Sequence, residues 1–262
     1  MKQIKLIATD MDGTLLDSKK RLPGDFFEWV NNHSHIRFVI ASGRQYYTLR
    51  KDFIPVHNNL IYIAENGSII YDKDEVIYLD SMKKEDVLYS LDLADKLPNV
   101  KTILCGVKSA YMTAPNEEER QNAGMYYERL AIVDNLRDVV DKDEFLKLAY
   151  YFPGFSAEAN FGCFDDVPAH LNPVLSGVSW VDIANKSVNK GAALREIQKK
   201  YNIDRSECIA FGDYLNDYDL LMEVDESYCM ENGHDDMKKI AKYIAPSNDD
   251  NGVMKVLHSL DL

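Results

Sequence analysis

Apolar strand patterns that alternate with helical patterns constrain the fold of this 262-residue chain more than any other feature. Runs typical of buried parallel strands occur at residues 4–9, 36–41, 60–64 and 208–211, and helical patterns follow the first, second and fourth of them. Consecutive strand–helix units of this kind form parallel sheets with right-handed crossovers. The sequence therefore predicts an α/β protein with a parallel-sheet core.

The alternation is interrupted in the middle of the chain, where an α+β pattern replaces it. An antiparallel hairpin is predicted around the polar residues 72–75, and residues 155–173 show no clear period. We therefore predict a core of residues 1–81 and 185–262 with an inserted domain at residues 82–184. Within the insertion, the patterns predict helices at 84–97 and 116–130 and strands at 101–106, 110–113, 146–152 and 178–184.

Two pairs of carboxylates follow two of the predicted core strands. Asp10 and Asp12 come directly after the first strand, and Asp213 and Asp217 follow the strand at residues 208–211. Because ligands bind at the carboxyl ends of parallel strands, both pairs are expected at one edge of the sheet. Four carboxylates without a nearby His or Cys favour Mg²⁺. Taken singly, each pair also fits a polar turn or a helix N-cap.

Three further residues suit an anion such as phosphate. Ser42 and Gly43 lie between a strand and a helix, where a hydroxyl and backbone amides can hold a phosphate. Lys190 opens a predicted helix, a position that the helix dipole disfavours for a cation unless an anion lies close by. The simpler interpretations are an N-cap at Ser42 and a solvated lysine.

Together these groups fit phosphoryl transfer. Asp10 would attack phosphorus and form an aspartyl-phosphate, and Asp12 would protonate the leaving oxygen and later activate water. Mg²⁺, Ser42 and Lys190 would balance the charge of the phosphoryl group. To act as an acid near neutral pH, Asp12 needs a pKa above the value of about 3.9 for a free aspartate.

Composition excludes several other classes of protein. The formal net charge of −13 argues against non-specific binding to nucleic acid or to an anionic membrane. The four cysteines are widely spaced and form no CxxC pair, which favours isolated reduced thiols. No apolar run is long enough to span a bilayer, so we expect a soluble, cytoplasmic protein whose partner is a small phosphorylated metabolite.

Four short stretches carry the predicted site residues. They are Asp10-Met11-Asp12-Gly13-Thr14, Ser42-Gly43-Arg44, Asn189-Lys190-Gly191 and Gly212-Asp213-Tyr214-Leu215-Asn216-Asp217. In this order they resemble the four motifs of the haloacid dehalogenase-like hydrolases. The insertion between the second and third stretch is similar in position and pattern to the type IIB cap of the Cof-like phosphatases. The stretch after Cys229 departs from the family, since it reads Met-Glu-Asn-Gly-His.

This resemblance implies a Rossmann-like catalytic core, a cap that closes over the site and an Mg²⁺-dependent phosphatase. It implies that Asp10 is the nucleophile and Asp12 the acid/base. The implied metal ligands are the Asp10 side chain, the Asp12 carbonyl and Asp213, with Asp217 in or just outside that shell. The implied phosphate contacts are Met11, Ser42, Gly43, Lys190 and Asn216, and Arg44 would reach the substrate.

Two alternatives fit the same residues. A phosphomutase would need cations in the insertion to hold a bisphosphate, and Arg120, Arg129 and Arg137 are the candidates, although helical surface charge explains them more simply. A non-catalytic protein that binds phosphorylated metabolites would not need a nucleophile, so the presence of both Asp10 and Asp12 argues against it.

Overall fold

The computed structural model describes residues 3–97, 99–154, 157–260 and 262. In this part of the chain the strands are β1 Leu6–Asp10, β2 Arg37–Ala41, β3 Leu60–Ala64, β4 Ile69–Asp72, β5 Glu75–Leu79, β6 Lys101–Gly106, β7 Ala110–Thr113, β8 Leu130–Val133, β9 Phe145–Tyr151, β10 Leu171–Gly177, β11 Trp180–Asn185, β12 Cys208–Gly212, β13 Glu226–Met230 and β14 Tyr243–Ala245. The α-helices are α1 Phe26–Asn32, α2 Tyr46–Asp52, α3 Lys84–Ala94, α4 Glu117–Gly124, α5 Lys190–Tyr201, α6 Tyr218–Met222, α7 Asp235–Ile240 and α8 Gly252–Ser259.

The chain divides into two compact units, Met1–Leu79 with Asn189–Leu262, and Asp80–Val188. The first unit contains an eight-stranded sheet in the order β14-β13-β12-β1-β2-β3-β4-β5. The strands from β14 to β3 are parallel, and β4 and β5 continue the sheet as an antiparallel hairpin. The parallel α/β core is therefore present, with β1 in the middle of the sheet.

Helix α5 shows how the core unit is packed. Ala193, Leu194 and Ile197 lie on one face of this helix at the spacing of an amphipathic helix, and all three are fully buried. They pack in one cluster with Leu6 and Ala8 of β1 and with other apolar side chains of the sheet. This packing places the first residue of α5, Lys190, close to the end of β1.

The second unit is an α+β structure with its own core. Its six-stranded sheet has the order β10-β11-β9-β6-β7-β8 and is antiparallel except for the β7–β8 pair. Leu104, Leu148, Tyr150 and Val181 form part of a buried cluster that also includes Val87 and Leu91 of α3. The unit begins at Asp80 and ends at Val188, within four residues of the predicted boundaries of the insertion.

Both edge strands of the second sheet escape prediction from the sequence. The helix that the sequence predicts at residues 116–130 ends at Gly124 in the structure. Leu130, the last residue of that prediction, is instead the first residue of β8. Strand β10 lies partly in the unassigned stretch 155–173, of which Phe155 and Ser156 fall outside the described residues, and Pro173 interrupts its pattern. Proline is tolerated on an edge strand because such a strand pairs on one side only. A proline within a strand also makes the strand harder to recognise from the sequence.

The sequence also predicts reduced cysteines and no membrane-spanning segment. All four cysteines are free, and Cys105, Cys208 and Cys229 are buried. Among the described residues, no helix has both the length and the apolar character that crossing a membrane requires.

Candidate active site

The segments that carry the predicted site residues meet at the carboxyl edge of the core sheet. Strand β1 ends at Asp10, which is paired in register with Ala41 at the end of β2, so Ser42 follows next to it. On the other side of β1, Thr9 is paired with Phe211 of β12, and Asp213 comes two residues later. The parallel arrangement thus brings together the ends of three strands, as the sequence predicts.

An acidic cluster lies at this edge. Asp10, Asp213 and Asp217 each place a carboxylate oxygen within 4.8 Å of the others. Burial raises the pKa of Asp10 well above its usual range, the charge of Asp217 raises it further, and Lys190 opposes both effects. Burial and then the charge of Asp217 raise the pKa of Asp213 to about 6. Excess negative charge on hard oxygen donors is the chemistry that suits a divalent cation such as Mg²⁺.

Lys190 is the cation of this cluster. Its side chain is fully buried, and its Nζ lies 2.5 Å from Oδ1 of Asp10 and 2.6 Å from Oδ1 of Asp217. Burial lowers the pKa of Lys190, but the charges of Asp10 and Asp217 outweigh this and leave it above its usual value. Asn189 caps α5 by accepting a hydrogen bond from the Ala192 amide. The prediction that Lys190 opens a helix is confirmed, and the anions beside it are carboxylates of the chain.

Asp217 organises the loop that carries Asp213. It is fully buried, and its Oδ2 accepts hydrogen bonds from the amides of Asp213 (3.0 Å) and Tyr214 (3.3 Å). Its Oδ1 accepts from Lys190. Asp213 in turn accepts a hydrogen bond from the Thr14 hydroxyl at 2.9 Å. Both carboxylate oxygens of Asp217 therefore accept hydrogen bonds from the protein. The hydrogen bond from Thr14 to Asp213 is made to Oδ1.

Gly13 allows Asp213 to approach the loop after β1. Its φ of +88° lies in the region that glycine favours, and a Cβ at this position would lie 2.4 Å from Oδ2 of Asp213. The backbone angle and the close contact thus both disfavour a side chain at this position.

We expect Gly13→Ala to lower the free energy of unfolding by about 1–3 kcal/mol, because alanine is strained at this φ. The displaced Asp213 should also weaken the Mg²⁺ binding that is proposed below, by at least about tenfold, the scale seen when groups that orient metal ligands are lost. Thermal unfolding and Mg²⁺ titration measure the two effects. Gly24→Ala is the control, since a Cβ there meets nothing within 4 Å. Equal behaviour of the two variants would contradict the role of Gly13.

Asp12 is held by two cations. Arg44 donates from Nε to Oδ2 (3.0 Å) and from Nη2 to Oδ1 (2.7 Å), and Nζ of Lys20 lies 2.8 Å from Oδ1. Burial raises the pKa of Asp12, but the hydrogen bonds from Arg44 and Lys20 outweigh it and hold the pKa below its usual value. The expectation of a raised pKa is therefore wrong for this arrangement, because the sequence did not indicate either cation beside Asp12.

The remaining predicted residues lie around this cluster. Ser42 is buried and its hydroxyl accepts a hydrogen bond from the Arg44 amide at 3.2 Å. It lies four residues before α2 begins at Tyr46, so the interpretation of Ser42 as an N-cap is wrong. Asn216 is exposed in the turn before Asp217, and the side chain of Met11 is fully buried. A Cβ on Gly43 would lie 3.1 Å from the amide group of Asn66.

Two contributors to the site were not singled out from the sequence. Thr14 stands in the first motif, and its contact with Asp213 depends on the pairing of β1 with β12. Lys20 stands in a polar loop without a pattern, and only the fold of that loop brings it to Asp12. No local signal identifies Lys20.

Comparisons with known proteins identify the family of this chain. A profile of the haloacid dehalogenase-like hydrolase family matches residues 7–257. The 5-amino-6-(5-phospho-D-ribitylamino)uracil phosphatase YbjI of Escherichia coli K12 is 32% identical over 259 residues, covering 97% of this chain and 95% of the relative. The chain belongs to the haloacid dehalogenase-like hydrolases. Within them it is a phosphoric monoester hydrolase, as its curated relatives are named phosphatases.

Solved structures share the fold of the whole chain. Protein SMU.1108c of Streptococcus mutans UA159 is similar with a TM-score of 0.86 and 30% identity, and the match covers 98% of both chains. BT4131, a sugar phosphatase of subclass IIB, has a TM-score of 0.79 at 21% identity, with 97% of this chain and 98% of the other covered. At that identity the second match concerns the fold alone.

Proposed function

We propose that this phosphatase is Mg²⁺-dependent and hydrolyses phosphate monoesters of small metabolites through an aspartyl-phosphate on Asp10. The observation that carries the proposal is the cluster of buried Asp10, Asp217 and Lys190 with half-buried Asp213 at the end of β1, with Asp12 two residues beyond the proposed nucleophile. The phosphorylated ribityl compound named for the Escherichia coli relative is the first candidate substrate.

Asp10 and Asp213 are the side chains that would hold Mg²⁺, together with the carbonyl of Asp12. When bound, the ion supplies positive charge for the phosphoryl oxygens and lowers the repulsion between an anionic ester and the carboxylates. Asp217 would lie just outside the metal ligands, because Lys190 and two backbone amides already occupy its oxygens. Its role would be to orient Asp213 and Lys190.

In the first step, a carboxylate oxygen of Asp10 forms a bond to phosphorus as the ester P–O bond breaks. Arg44 and Lys20 keep the pKa of Asp12 low in the free protein, so Asp12 must take up a proton when the anionic ester binds beside it. It then transfers this proton to the departing oxygen and becomes a carboxylate again. In the second step, Asp12 takes a proton from water, whose oxygen attacks phosphorus and releases inorganic phosphate and free Asp10. Lys190 supplies a fixed positive charge beside the nucleophile throughout, and Ser42 and Asn216 offer hydrogen-bond donors to the phosphoryl group.

The test is a screen of phosphate esters with and without Mg²⁺, with the Asp10→Asn variant as the blank. The panel contains 5-amino-6-(5-phospho-D-ribitylamino)uracil, hexose phosphates and other small monoesters. Release of inorganic phosphate that needs Mg²⁺ and is absent from the blank supports the proposal. Hydrolysis that persists in the blank or in excess chelator would overturn it.

No feature of the described residues favours the phosphomutase alternative. Arg137, one of its candidate cations, pairs with Asp92 and Asp95 of its own unit. Release of free phosphate without a bisphosphate activator distinguishes the phosphatase from the mutase.

Mg²⁺ binding is expected to weaken as the pH falls from 7.5 to 5.5. Asp213 has a pKa of about 6 in the metal-free protein, so below that pH the ion must displace a proton from this carboxyl group. Above pH 7 Asp213 is already ionised and no longer contributes to this dependence. Calorimetric titration at several pH values measures the affinity, and Asp213→Asn, which lacks the titrating group and one ligand, is the comparison. A pH-independent affinity in the wild type would contradict this assignment.

A further inference from the structure

The three residues that follow β3 have an unusual backbone. The φ angles of Glu65, Asn66 and Gly67 are +49°, +57° and +112°, so three consecutive residues lie on the side of φ that favours glycine. Glycine and asparagine adopt such angles with little strain, whereas glutamate does so at a cost in free energy. Conformations of this kind persist only where the surrounding contacts determine them, and they are concentrated at functional sites.

On one side, this segment holds the loop that follows β2. The amide of Ser42 donates to the Ile63 carbonyl at 2.9 Å, and the Ser42 carbonyl accepts from the Asn66 amide at 2.9 Å. The amide of Glu65 donates to the Arg44 carbonyl at 3.1 Å. The backbone of the loop that carries proposed phosphate contacts is therefore fixed by the end of β3 and by the residues after it.

The side chain of Asn66 packs against Gly43 in the same loop. A Cβ on Gly43 would lie 3.1 Å from both Oδ1 and Nδ2 of Asn66, which is closer than ordinary van der Waals contact. Because Gly43 has no side chain, the carboxamide lies directly on its backbone. The contact limits the conformations that are open to Gly43.

On the other side, Gly67 touches the start of α5. A Cβ on Gly67 would lie 2.4 Å from the Asn189 carbonyl oxygen and 3.3 Å from the Lys190 nitrogen. Asn189 caps this helix, and Lys190 places its ammonium group between two carboxylates of the acidic cluster. One short segment thus contacts both the loop after β2 and the helix that carries Lys190.

The carboxamide of Asn66 does not serve stability. Its Oδ1 is buried and accepts no hydrogen bond from the described residues. A buried acceptor without a donor lowers stability, because it has given up its hydrogen bonds to water. Glycine at this position would avoid that loss and would also adopt the φ of +57° with less strain. A side chain that lowers stability in this way calls for a functional explanation.

We propose that Asn66 is a positioning residue, which holds Gly43 so that the loop after β2 and Lys190 present their donors to one phosphoryl group. The inference rests on the proposed function, in which that group binds beside Asp10. Asn66 acts through the loop and not on the substrate. By limiting the conformations of Gly43, it removes an ordering step that substrate binding would otherwise have to supply.

The test compares Asn66→Gly with Asn202→Gly, and inorganic phosphate is the probe because it binds as the product without reacting. Asn202 is the matched control, since it is an exposed asparagine with a φ of +52° at the opposite end of α5 from Lys190. For Asn66→Gly we expect the inhibition constant of phosphate to rise about tenfold, and kcat/KM on the best substrate of the screen to fall at least as much. A misplacement of about 1 Å can cost about a hundredfold in rate. Asn202→Gly should retain both wild-type values.

Thermal unfolding without Mg²⁺ or phosphate separates positioning from stability. Both variants increase the entropy of the unfolded chain equally, and Asn66→Gly also removes the buried oxygen that accepts no hydrogen bond. The unfolding midpoint of Asn66→Gly should therefore be equal to that of Asn202→Gly or higher, although its phosphate affinity is lower. A residue with a purely structural role would lose stability and affinity together.

Gly43→Ala tests the contact between the two residues. The added Cβ meets the carboxamide in the wild type, whereas Asn66→Gly provides room for it. Gly43→Ala should therefore weaken phosphate binding about tenfold in the wild type and less than about threefold in the Asn66→Gly background. Equal losses in the two backgrounds would contradict the contact and the role of Asn66.

The remaining outcomes also have defined meanings. A wild-type inhibition constant in Asn66→Gly, an equal rise in Asn202→Gly, or no inhibition of the wild type by phosphate would overturn the role of Asn66. A midpoint for Asn66→Gly below that of Asn202→Gly would assign the carboxamide to stability and overturn it as well. In these cases an inactive Asp10→Asn variant leaves the proposed function intact. Full activity of Asp10→Asn would overturn the proposed function, whereas the inhibition constants would still decide the role of Asn66.

Discussion

Replacing Asp10 with asparagine should lower phosphate release by about four orders of magnitude or more, the scale observed when a nucleophile is removed from a hydrolase. The amide of asparagine has nearly the shape of the carboxylate but is a poor nucleophile toward phosphorus. The substitution also removes one of the carboxylates that would hold Mg²⁺. Steady-state phosphate release on the best substrate of the screen measures the effect.

The Asp10→Asn protein should stay folded. The buried Asp10 carboxylate is destabilised by its environment, as its raised pKa shows, and Lys190 retains Asp217 as a partner after the change. The midpoint of thermal unfolding without metal should therefore be equal to that of the wild type or higher. Asp235→Asn, at a side chain that is 89% exposed, is the matched control and should keep full activity. An active, folded Asp10→Asn enzyme would exclude Asp10 as the nucleophile.

Replacing Lys190 with methionine should cause the largest loss of stability. The substitution leaves Asp10, Asp213 and Asp217 together in a buried site without the ammonium group that balances them. Removal of one partner from a buried ion pair costs about 3–5 kcal/mol, because the remaining charge is uncompensated. Denaturation by urea in the presence of a chelator measures this difference, and turnover should be lost as well.

Mg²⁺ should recover part of the stability of Lys190→Met. A divalent cation that binds the folded state alone raises its stability, and the variant offers the ion a more negative site than the wild type does. The increase in the unfolding midpoint on addition of Mg²⁺ should thus be larger in the variant. Lys199→Met, at an exposed position of the same helix α5, is the control and should behave as the wild type. An unchanged free energy of unfolding in Lys190→Met would show that the cluster does not depend on this lysine.

Most of the core could be predicted from the sequence because its strands are buried on both faces. Strands β1, β2 and β3 consist mainly of apolar residues, and the motifs of the site begin at strand ends or at the start of α5. The residues Asp10, Asp213, Asp217 and Lys190 are accordingly found together. Because each of these residues lies at the end of a strand or near the start of a helix, the order of strands and helices in the sequence is enough to place it at the edge of the sheet.

Features that depend on tertiary contacts could not be predicted in this way. The edge strands β8 and β10 show no clear alternation of apolar and polar residues, and among the described residues each of them pairs with a single neighbouring strand. The lowered pKa of Asp12 depends on Arg44 and Lys20, which reach the carboxylate through the fold of two loops. Hydrogen bonds between distant loops leave no periodic pattern in a sequence, so these contacts appear only in the structure.

The position of β1 in the sheet has a consequence for folding during synthesis. One side of β1 pairs with β2, which follows early in the chain, but the other side pairs with β12, which is made only after the whole of Asp80–Val188. The second unit can therefore pair all its own strands while β1 still presents an open edge. Pairings between such distant segments slow folding, and open edges favour aggregation. The strand that carries Asp10, the proposed nucleophile, is thus among the last to be enclosed, so the proposed active site cannot form until nearly the entire chain has been synthesised.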